Sequence, residues 1–505
     1  MRPLSFCVAV VSLGSTALAQ SPVLHDIGPV TPGAAGSFAM AVNARGDTVV
    51  GFGPGTSGSD LAFRWTLAGG VETLPGGNAA FAVSANGSVA TGRGGLAAIR
   101  WVGLTAQDLQ VAPGGTVAAV GTGISGDGMA IVGSATTNQA FRWTPSTGSQ
   151  WLALPTGATN SGASAISAVG LMVAGSVRTS GRDHAYRWSD GPSGLDLGTL
   201  SGGLSSVATA ISADGSALAG YGDTASAAAH AFRWTASSGI ADLGTLPGTV
   251  DSFAFGIGAD GSAVVGYATL GTSERAFLWT PALGMVELSQ YLAGLGVDLT
   301  GWQLNRAQAI SADGTAIVGY GVYGIHTHGY VITGLNLGFC PSILIGPGSA
   351  TACSTGSAGF SVYAAGAASP LTYQWQIEAP AGQWQTLGND PGPLPCGGGA
   401  HAFAFPINSP SVALGISPCP GQNGLAQHIN VRCVVANQCG TATSPTSIYT
   451  ICPADFDCLG GLTVGDIFAY LNAWLAGDPQ ADTNGGGLAV QDIFDFLNAW
   501  FAGCG

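Results

Sequence analysis

The chain of 505 residues contains no lysine; its 13 basic residues are all arginine and stand against 27 acidic ones. A formal charge of -14 repels phosphate backbones and anionic headgroups, which argues against nucleic acid and acidic lipid as partners. GC-rich codon usage alone would also leave a chain without lysine. Cysteine is absent from residue 8 to residue 339, and nine then follow, at 340, 353, 396, 419, 433, 439, 452, 458 and 504. No disulfide framework therefore holds the first two thirds, and composition marks a boundary near residue 336. Beyond the first 19 residues no apolar run approaches the roughly 20 residues of a membrane helix, so direct membrane insertion is not expected. A nucleophile motif, a phosphate loop and an unrepeated cluster of acids, bases or metal ligands are also missing, and an enzyme needs one of them. Apolar residues make up 46% of the chain, ample for ordered cores.

The chain opens with MRPLSFCVAVVSLGSTALA: one arginine, an apolar stretch, then Ala17-Leu18-Ala19. That is the pattern of a cleaved signal peptide. The expectation is export to the cell surface or beyond, with residues 1–19 removed. Losing Arg2 leaves 12 basic against 27 acidic residues, a mature charge of -15. A lipoprotein would carry its cysteine at the cleavage site, whereas Cys7 lies inside the apolar stretch. Export favours disulfides among the later cysteines. Nine is odd, so at least one thiol is free or pairs with another chain.

From residue 20 to 335 two phrases alternate. AFRWT stands at 62–66, 140–144 and 231–235, and returns edited as AIRWV (98–102), AYRWS (185–189) and AFLWT (276–280). The second phrase, seen as SADGSALAG (212–220) or SADGTAIVG (311–319), occurs seven times, centred on Gly46, Gly87, Gly128, Gly170, Gly215, Gly261 and Gly314. Asp-Gly or Asn-Gly between alternating apolar runs signals a tight hairpin whose two turn residues both take positive φ. AFRWT then reads as a third strand, with Phe63 and Trp65 on one face and Arg64 on the other. A fourth is clearest in DLGTLSGG (196–203) and DLGTLPGT (242–249). Four short strands per unit and a period near 45 residues predict a seven-bladed β-propeller. VLHDIGPV (23–30) reads as a fourth strand lacking its predecessors and HGYVIT (328–333) as a third lacking its successor, so the two ends should meet and close the ring. An open solenoid is the rival, and a hairpin in every unit suits it poorly. The phrases HAFRWT (230–235), LGTLPG (243–248) and ISADG (211–215) resemble the HAF repeats of bacterial extracellular proteins, a resemblance that carries no catalytic assignment.

Residues 336–451 lose the period. AGFSVYAAGAASPLTYQWQ (358–376) predicts two strands around a proline-containing turn, and INVRCVVANQCGTATSPTSIYTIC (429–452) two more with a turn near Asn437. This is similar to a bacterial immunoglobulin-like β-sandwich, which implies Trp375 as the buried core tryptophan. The usual pairing cysteine is replaced by Val362 or Ala364, and Cys353 is left to pair with Cys433 or Cys439.

Residues 452–505 contain a duplication, VGDIFAYLNAWLAG (464–477) and VQDIFDFLNAWFAG (490–503). Ile467, Leu471, Trp474 and Leu475, and likewise Ile493, Leu497, Trp500 and Phe501, fall at helical spacing and predict an apolar stripe on each helix. Each helix follows an acidic, glycine-rich loop. Loop plus helix, twice, with CPAD before and AGCG after, resembles the GC-type dockerin-like tails of bacterial surface proteins. The resemblance implies calcium loops of EF-hand type, held by Asp455, Asp457 and Asp466 in the first and Asp482, Asn484 and Asp492 in the second. Position 5 is Leu459 in one loop and Gly486 in the other, so both are damaged at the same place, and the second is one residue short. A disulfide among Cys452, Cys458 and Cys504 is an alternative staple, and plain helix capping would account for Asp466 and Asp492.

The sharper functional readings weigh little beside this architecture. Arg45-Gly46-Asp47 spells an integrin motif but sits where every unit places its hairpin turn. His326 and His328 have a metal-compatible spacing, yet His328 matches His184 and His230 in the repeat. Arg64, Arg100, Arg142, Arg187 and Arg233 recur, which argues for a structural role, because an active site breaks symmetry. A glycan-hydrolysing propeller would draw on unrepeated carboxylates such as Asp60, Glu72, Asp108, Asp183, Asp251 and Glu274. The favoured expectation is a non-catalytic exported protein whose propeller binds or displays, joined through its tail to a cohesin-like or other envelope protein. A polysaccharide hydrolase, or a tail that is only a sorting signal, is the alternative.

Overall fold

The computed structural model describes residues 21–502 apart from 112–116, 190–193, 354–356, 366–370, 379–381, 388–401, 406–410, 417–426, 438–439, 453, 457–461, 479–480 and 484–486. The expected leader lies outside these residues, as do Asp457 and Asn484 of the expected calcium ligands.

Short runs of alternating or β-branched residues between glycine turns fold as strands, and the chain is mainly β. Seven four-stranded antiparallel sheets follow one another between Val23 and Thr333. Their innermost strands are Phe38–Val42, Ala79–Val83, Ala119–Ile124, Ala158–Ile166, Ser206–Ile211, Asp251–Ile257 and Trp302–Ile310, which number the sheets one to seven below. Each innermost strand shifts register against its neighbour, for example between Ala39 and Ala41 or Ala254 and Gly256, and those of the fourth and seventh sheets do so twice. Such a bulge bends a strand and increases its twist. The first strand of the chain, Val23–Asp26, completes the seventh sheet by pairing with His326–Thr333, from Val23 opposite Thr333 to Asp26 opposite Tyr330. The chain ends of the repeat region are thereby tied together. A short helix, α1 (Leu288–Gly294), buries Leu288 and Leu292 between the sixth and seventh sheets and accounts for their wider spacing in sequence.

The repeated AFRWT strand joins neighbouring sheets through both of its faces. Phe63 and Trp65 pack with Val318 and Val331 of the seventh sheet, and Phe232 and Trp234 with Ala174 and Ala185 of the fourth, so the aromatics face the preceding sheet. Arginine faces the following one. Arg100, Arg187 and Arg233 donate to the carbonyls of Gly128, Gly215 and Gly261 in the next hairpin loop. Arg100 and Arg187 also lie over Trp143 and Trp234 of that next sheet, at 5.6 and 5.0 Å. In the sixth sheet the arginine position holds Leu278, which is buried against the seventh.

The hairpin turn differs from the expected tight pair. Only the glycine takes positive φ, as at Gly128 (74°) and Gly215 (76°). In the third sheet Gly128 N–H donates to Ser125 carbonyl at 2.9 Å, Ser125 Oγ accepts from Ala130 N–H at 2.8 Å, and Asp127 Oδ1 accepts from Met129 N–H at 2.9 Å. Serine and aspartate side chains thus supply acceptors that a two-residue turn would not need, and a longer loop forms. These loops also bond to one another around the ring: Ala44 N–H to Ala85 O, Ala85 to Gly126, Gly126 to Ala168, Ala168 to Ala213, Ala213 to Ala259, and Asp313 back to Ala44, at 2.7 to 3.1 Å.

Beyond the ring, strands Thr372–Glu378, Gln427–Ala436 and Ser447–Cys452 form the centre of a mixed sheet. Trp375, fully buried, packs there with Phe360, Val362, Val431, Val435 and Tyr449. The expected last strand is split at Ser444 and Pro445, where proline removes a backbone donor, so Thr441–Thr443 and Ser447–Cys452 are separate. Cys433 does not take up the pairing proposed with Cys353: it is a free thiol, buried opposite Trp375, and burial pushes its pKa up to about 11.

The tail contains α2 (Val464–Ala476) and α3 (Val490–Ala502). Tyr470 and Phe496 stack between them at 4.0 Å, with Phe456 edge-on to both. Ile467, Leu471, Trp474, Ile493, Leu497 and Trp500 join this core. Leu475 and Phe501, expected in the buried stripe, are 75% and 77% exposed. Each follows directly on the tryptophan that enters the core, and one residue is about 100° around a helix.

Candidate functional site

The ring encloses a channel whose wall is set by columns of equivalent residues. At the level of the hairpin loops, Ala44, Ala85, Ala213 and Ala259 surround Leu344, which enters from strand Ser342–Ile345. The third unit has Gly126 in this alanine column, and a Cβ there would fall 2.3 Å from the Leu344 carbonyl oxygen. One end of the channel is therefore closed by Leu344. Next comes a layer of Val42, Val83, Ile124, Ile166, Ile211, Ile257 and Ile310, lining the channel throughout. Beyond it the column reads Met40, Phe81, Thr122, Ser164, Thr209, Phe255 and Gln308, and a cavity of about 420 Å3 opens among these two layers.

At the open end the symmetry fails. The innermost strand pairs with its neighbour there as Phe38 with Phe52, Ala79 with Arg93, Val120 with Ser134, Gly162 with Ser176, Val207 with Tyr221, Phe253 with Tyr267, and Arg306 with Tyr320. Aromatic rings therefore crowd one side and small side chains the other. The contacts run on from ring to ring: Phe81 to Phe52, Phe52 to Phe38, and Phe38 to Tyr320, at 6.2, 5.1 and 5.0 Å. The Arg306 guanidinium lies 5.7 Å from Tyr320 and 4.1 Å from Tyr267. Tyr267 stacks on Phe253 and Phe255, and Phe253 meets Tyr221 edge-on at 5.1 Å. All these rings are partly exposed.

Of the two arginines at this rim, Arg93 is exposed and Arg306 is paired with a carboxylate. Arg306 Nε donates to Glu274 Oε2 at 2.7 Å, and Nη2 donates to Oε1. That paired carboxylate keeps the guanidinium pKa above its ordinary value. Burial raises the hydroxyl pKa of Tyr221, Tyr267 and Tyr320, with Arg306 pulling the last two back. The Gln308 amide near the Tyr320 hydroxyl also pulls that pKa back. Thr122 and Thr209 donate across to the carbonyls of Ala163 and Ala254 in the following sheets, at 2.7 and 2.8 Å.

Of the carboxylates considered for hydrolysis, the structure brings three into this neighbourhood, one of them Asp183, whose charge helps raise the Tyr221 hydroxyl pKa. Asp251 and Glu274 flank Thr269 in the sixth sheet. Asp251 accepts from Ala229 N–H at 2.9 Å, while Glu274 is clamped by Arg306. Asp183 is paired with Arg178. The others disperse: Glu72 pairs with Arg64 and Asp108 accepts from Gln110 N–H, while Asp60 opens the third strand of the first sheet. His184, His230 and His328 each bond an aspartate of the adjoining outer strand, Asp196, Asp242 and Asp26, at 2.9 Å. In the RGD stretch Gly46 is the turn glycine, Asp47 accepts from the Asn43 amide, and Arg45 lies over Tyr363.

In the tail, Asp466 and Asp492 are fully buried at the starts of the helices. Asp466 accepts from Thr463 N–H at 2.7 Å and Asp492 from Ala489 N–H at 2.7 Å. Asp492 takes a further bond from Thr483 N–H, and Asp482 one from Gly487 N–H. Asp455 is buried as well. Among the described residues no three acidic, histidine or cysteine side chains gather as a metal set. Outward, Val464, Phe468 and Leu475 of α2 and Val490, Phe494 and Phe501 of α3 are 57% to 77% exposed, and the two trios occupy the same positions of the duplicated helix.

The aromatic arc escaped the sequence reading, although one column held its signal. The residue after the last glycine of the second repeated phrase is Phe52, Arg93, Ser134, Ser176, Tyr221, Tyr267 or Tyr320, so the repeat varies where the mouth lies.

No protein-family model matches this chain, and no curated protein sequence matches it. Among solved structures it is similar to a TolB of Agrobacterium tumefaciens, at 13% identity and a TM-score of 0.34 over 44% of this chain and 74% of that one. It is similar to TolB of Acinetobacter baumannii at 14% and 0.36, over 47% of this chain and 62% of that one. It is also similar to the β-propeller domain of Myceliophteria thermophila Cps50 (Swd1) at 12% and 0.38, over 62% of this chain and all of that one. Likeness at this level assigns no activity, ligand or partner to the chain.

Proposed function

We propose that the chain is an exported, non-catalytic binding protein: a seven-bladed propeller, an immunoglobulin-like spacer and a dockerin-like tail that docks to a cohesin-like protein of the cell envelope. The observation that carries this reading is the paired apolar row on the tail. Val464, Phe468 and Leu475, and their counterparts Val490, Phe494 and Phe501, stay in solvent at matching positions. Exposed apolar side chains gathered on so small a unit mark an interaction surface. Export supplies the setting, and we place Cys340 and Cys452 in disulfides of the exported chain. The absence of catalysis is supported by Glu274, held by Arg306 in two hydrogen bonds and so unavailable as a general acid or base.

The test uses the full chain as bait on the envelope fraction of the producing cells, with and without a calcium chelator. Capture of a cohesin-like protein is expected, and the combined variant Phe468→Asp, Phe494→Asp should abolish it. Release by chelator would add calcium to the docking; retention would leave the helices to dock by themselves. Capture that ignores both substitutions would overturn the docking role of this surface.

A further inference from the structure

Positions that repeat around the ring build it, and positions that do not are free to recognise something. The open end of the channel concentrates the latter. It is a blind cavity, closed behind by Leu344 and floored by aliphatic side chains. Its volume of about 420 Å3 lies in the range of roughly 300–1,000 Å3 usual for small-ligand pockets.

The chemistry of the rim restricts the guest. Arg306, the cation set among the aromatic rings, is neutralised by Glu274, and the tyrosines are held protonated, so an ionic guest lying on that arc would shed its water without a counter-charge there; Arg93, exposed in the second sheet, stands outside the arc of tyrosines. A wholly apolar guest would bury Gln308 and the tyrosine hydroxyls without partners. The partly exposed rings of Phe255 and Phe38, beside amide and hydroxyl groups at Gln308, Ser164 and Tyr320, suit a molecule with an apolar C–H face and a fringe of uncharged hydroxyls. That is the surface of a sugar ring.

We propose that the open mouth of the ring binds the end of a neutral glycan, one sugar entering the cavity and the next lying on the aromatic arc. The inference rests on the binding reading above and names its ligand class. Saturation-transfer NMR on the full chain tests it with neutral trisaccharides of glucose, xylose, mannose and galactose, with trigalacturonic acid as the anionic counterpart and indole as the apolar one. At least one neutral trisaccharide should receive saturation at its C–H protons, and trigalacturonic acid should not. Phe255→Ala should weaken that sugar about ten-fold, in line with losing one stacking partner. Gln308→Leu should weaken the sugar similarly while keeping indole, a sign that the cavity is still folded. The Phe468→Asp, Phe494→Asp chain should bind sugar as before. Binding of indole without any sugar would overturn the glycan inference and leave a binding protein of another ligand class. Silence from every probe would overturn the mouth as a binding site together with the glycan. Sugar binding indifferent to Phe255→Ala and Gln308→Leu would place it elsewhere and also overturn the proposal.

Discussion

Cys433 shows how burial sets the chemistry of a single residue. It lies in the core against Trp375 as a free thiol, and with its pKa pushed up to about 11 roughly one part in a thousand is thiolate at pH 8. The thiolate is the nucleophile, so the raised pKa lowers reactivity at every pH below it. Iodoacetamide at pH 8 should leave Cys433 unmodified in the native chain and label it in guanidinium, as read by peptide mass mapping. Rapid native labelling would show the site to be open. An odd number of cysteines demanded one unpaired thiol or a partner chain. Which cysteine stays free depends on which one the sheet turns inward. Arg100 and Arg233 carry the same lesson. Their recurrence announced a structural role, and their partners, glycine carbonyls of the next sheet, emerge only when the sheets lie side by side.

At the scale of elements, the closing strand Val23–Asp26 matters most. It joins residues about 300 apart in sequence, and Ile27 and Val30 just after it are buried against Phe63, Trp65, Val318 and Val331. Removing residues 21–30 should cost on the order of 5 kcal/mol, from lost strand hydrogen bonds and two buried aliphatic side chains. Urea unfolding gives the cost, and hydrogen exchange should show fast exchange in His326–Thr333. Unchanged stability would mean that the ring holds without this strand. The pairing was legible because VLHDIGPV and HGYVIT each lacked the neighbours that every other unit possesses. The loop geometry was not. Asp-Gly fits both a two-residue turn and a four-residue one, and the preceding serine, which selects the longer loop by accepting from the backbone, lies outside the dipeptide. The helices of the tail repeat this pattern. Periodicity located both, but it placed Leu475 and Phe501 in a core that Tyr470 and Phe496 occupy instead.

For the molecule as a whole, Leu344 couples two regions of different composition. It is buried within the alanine layer of the ring, and the strand that carries it pairs with Tyr363–Ala365. Leu344→Ala should destabilise the chain by about 2–4 kcal/mol, the usual cost of a buried leucine truncation, measured by urea denaturation. A change below about 0.5 kcal/mol would mean that the channel end is not sealed by this side chain.

Architecture was largely determined by the sequence alone, because a repeated unit writes its strand pattern many times over and the ends reveal where closure must fall. The break in cysteine usage near residue 336 and the duplication in the tail were visible for the same reason. The open mouth of the channel was decided by tertiary structure. Phe38, Phe81, Tyr221, Tyr267, Arg306 and Tyr320 are scattered over nearly 300 residues, and each fits an ordinary strand. They become one surface only because the ring brings the same end of every innermost strand around a common axis, where a varied column of residues turns into a continuous rim.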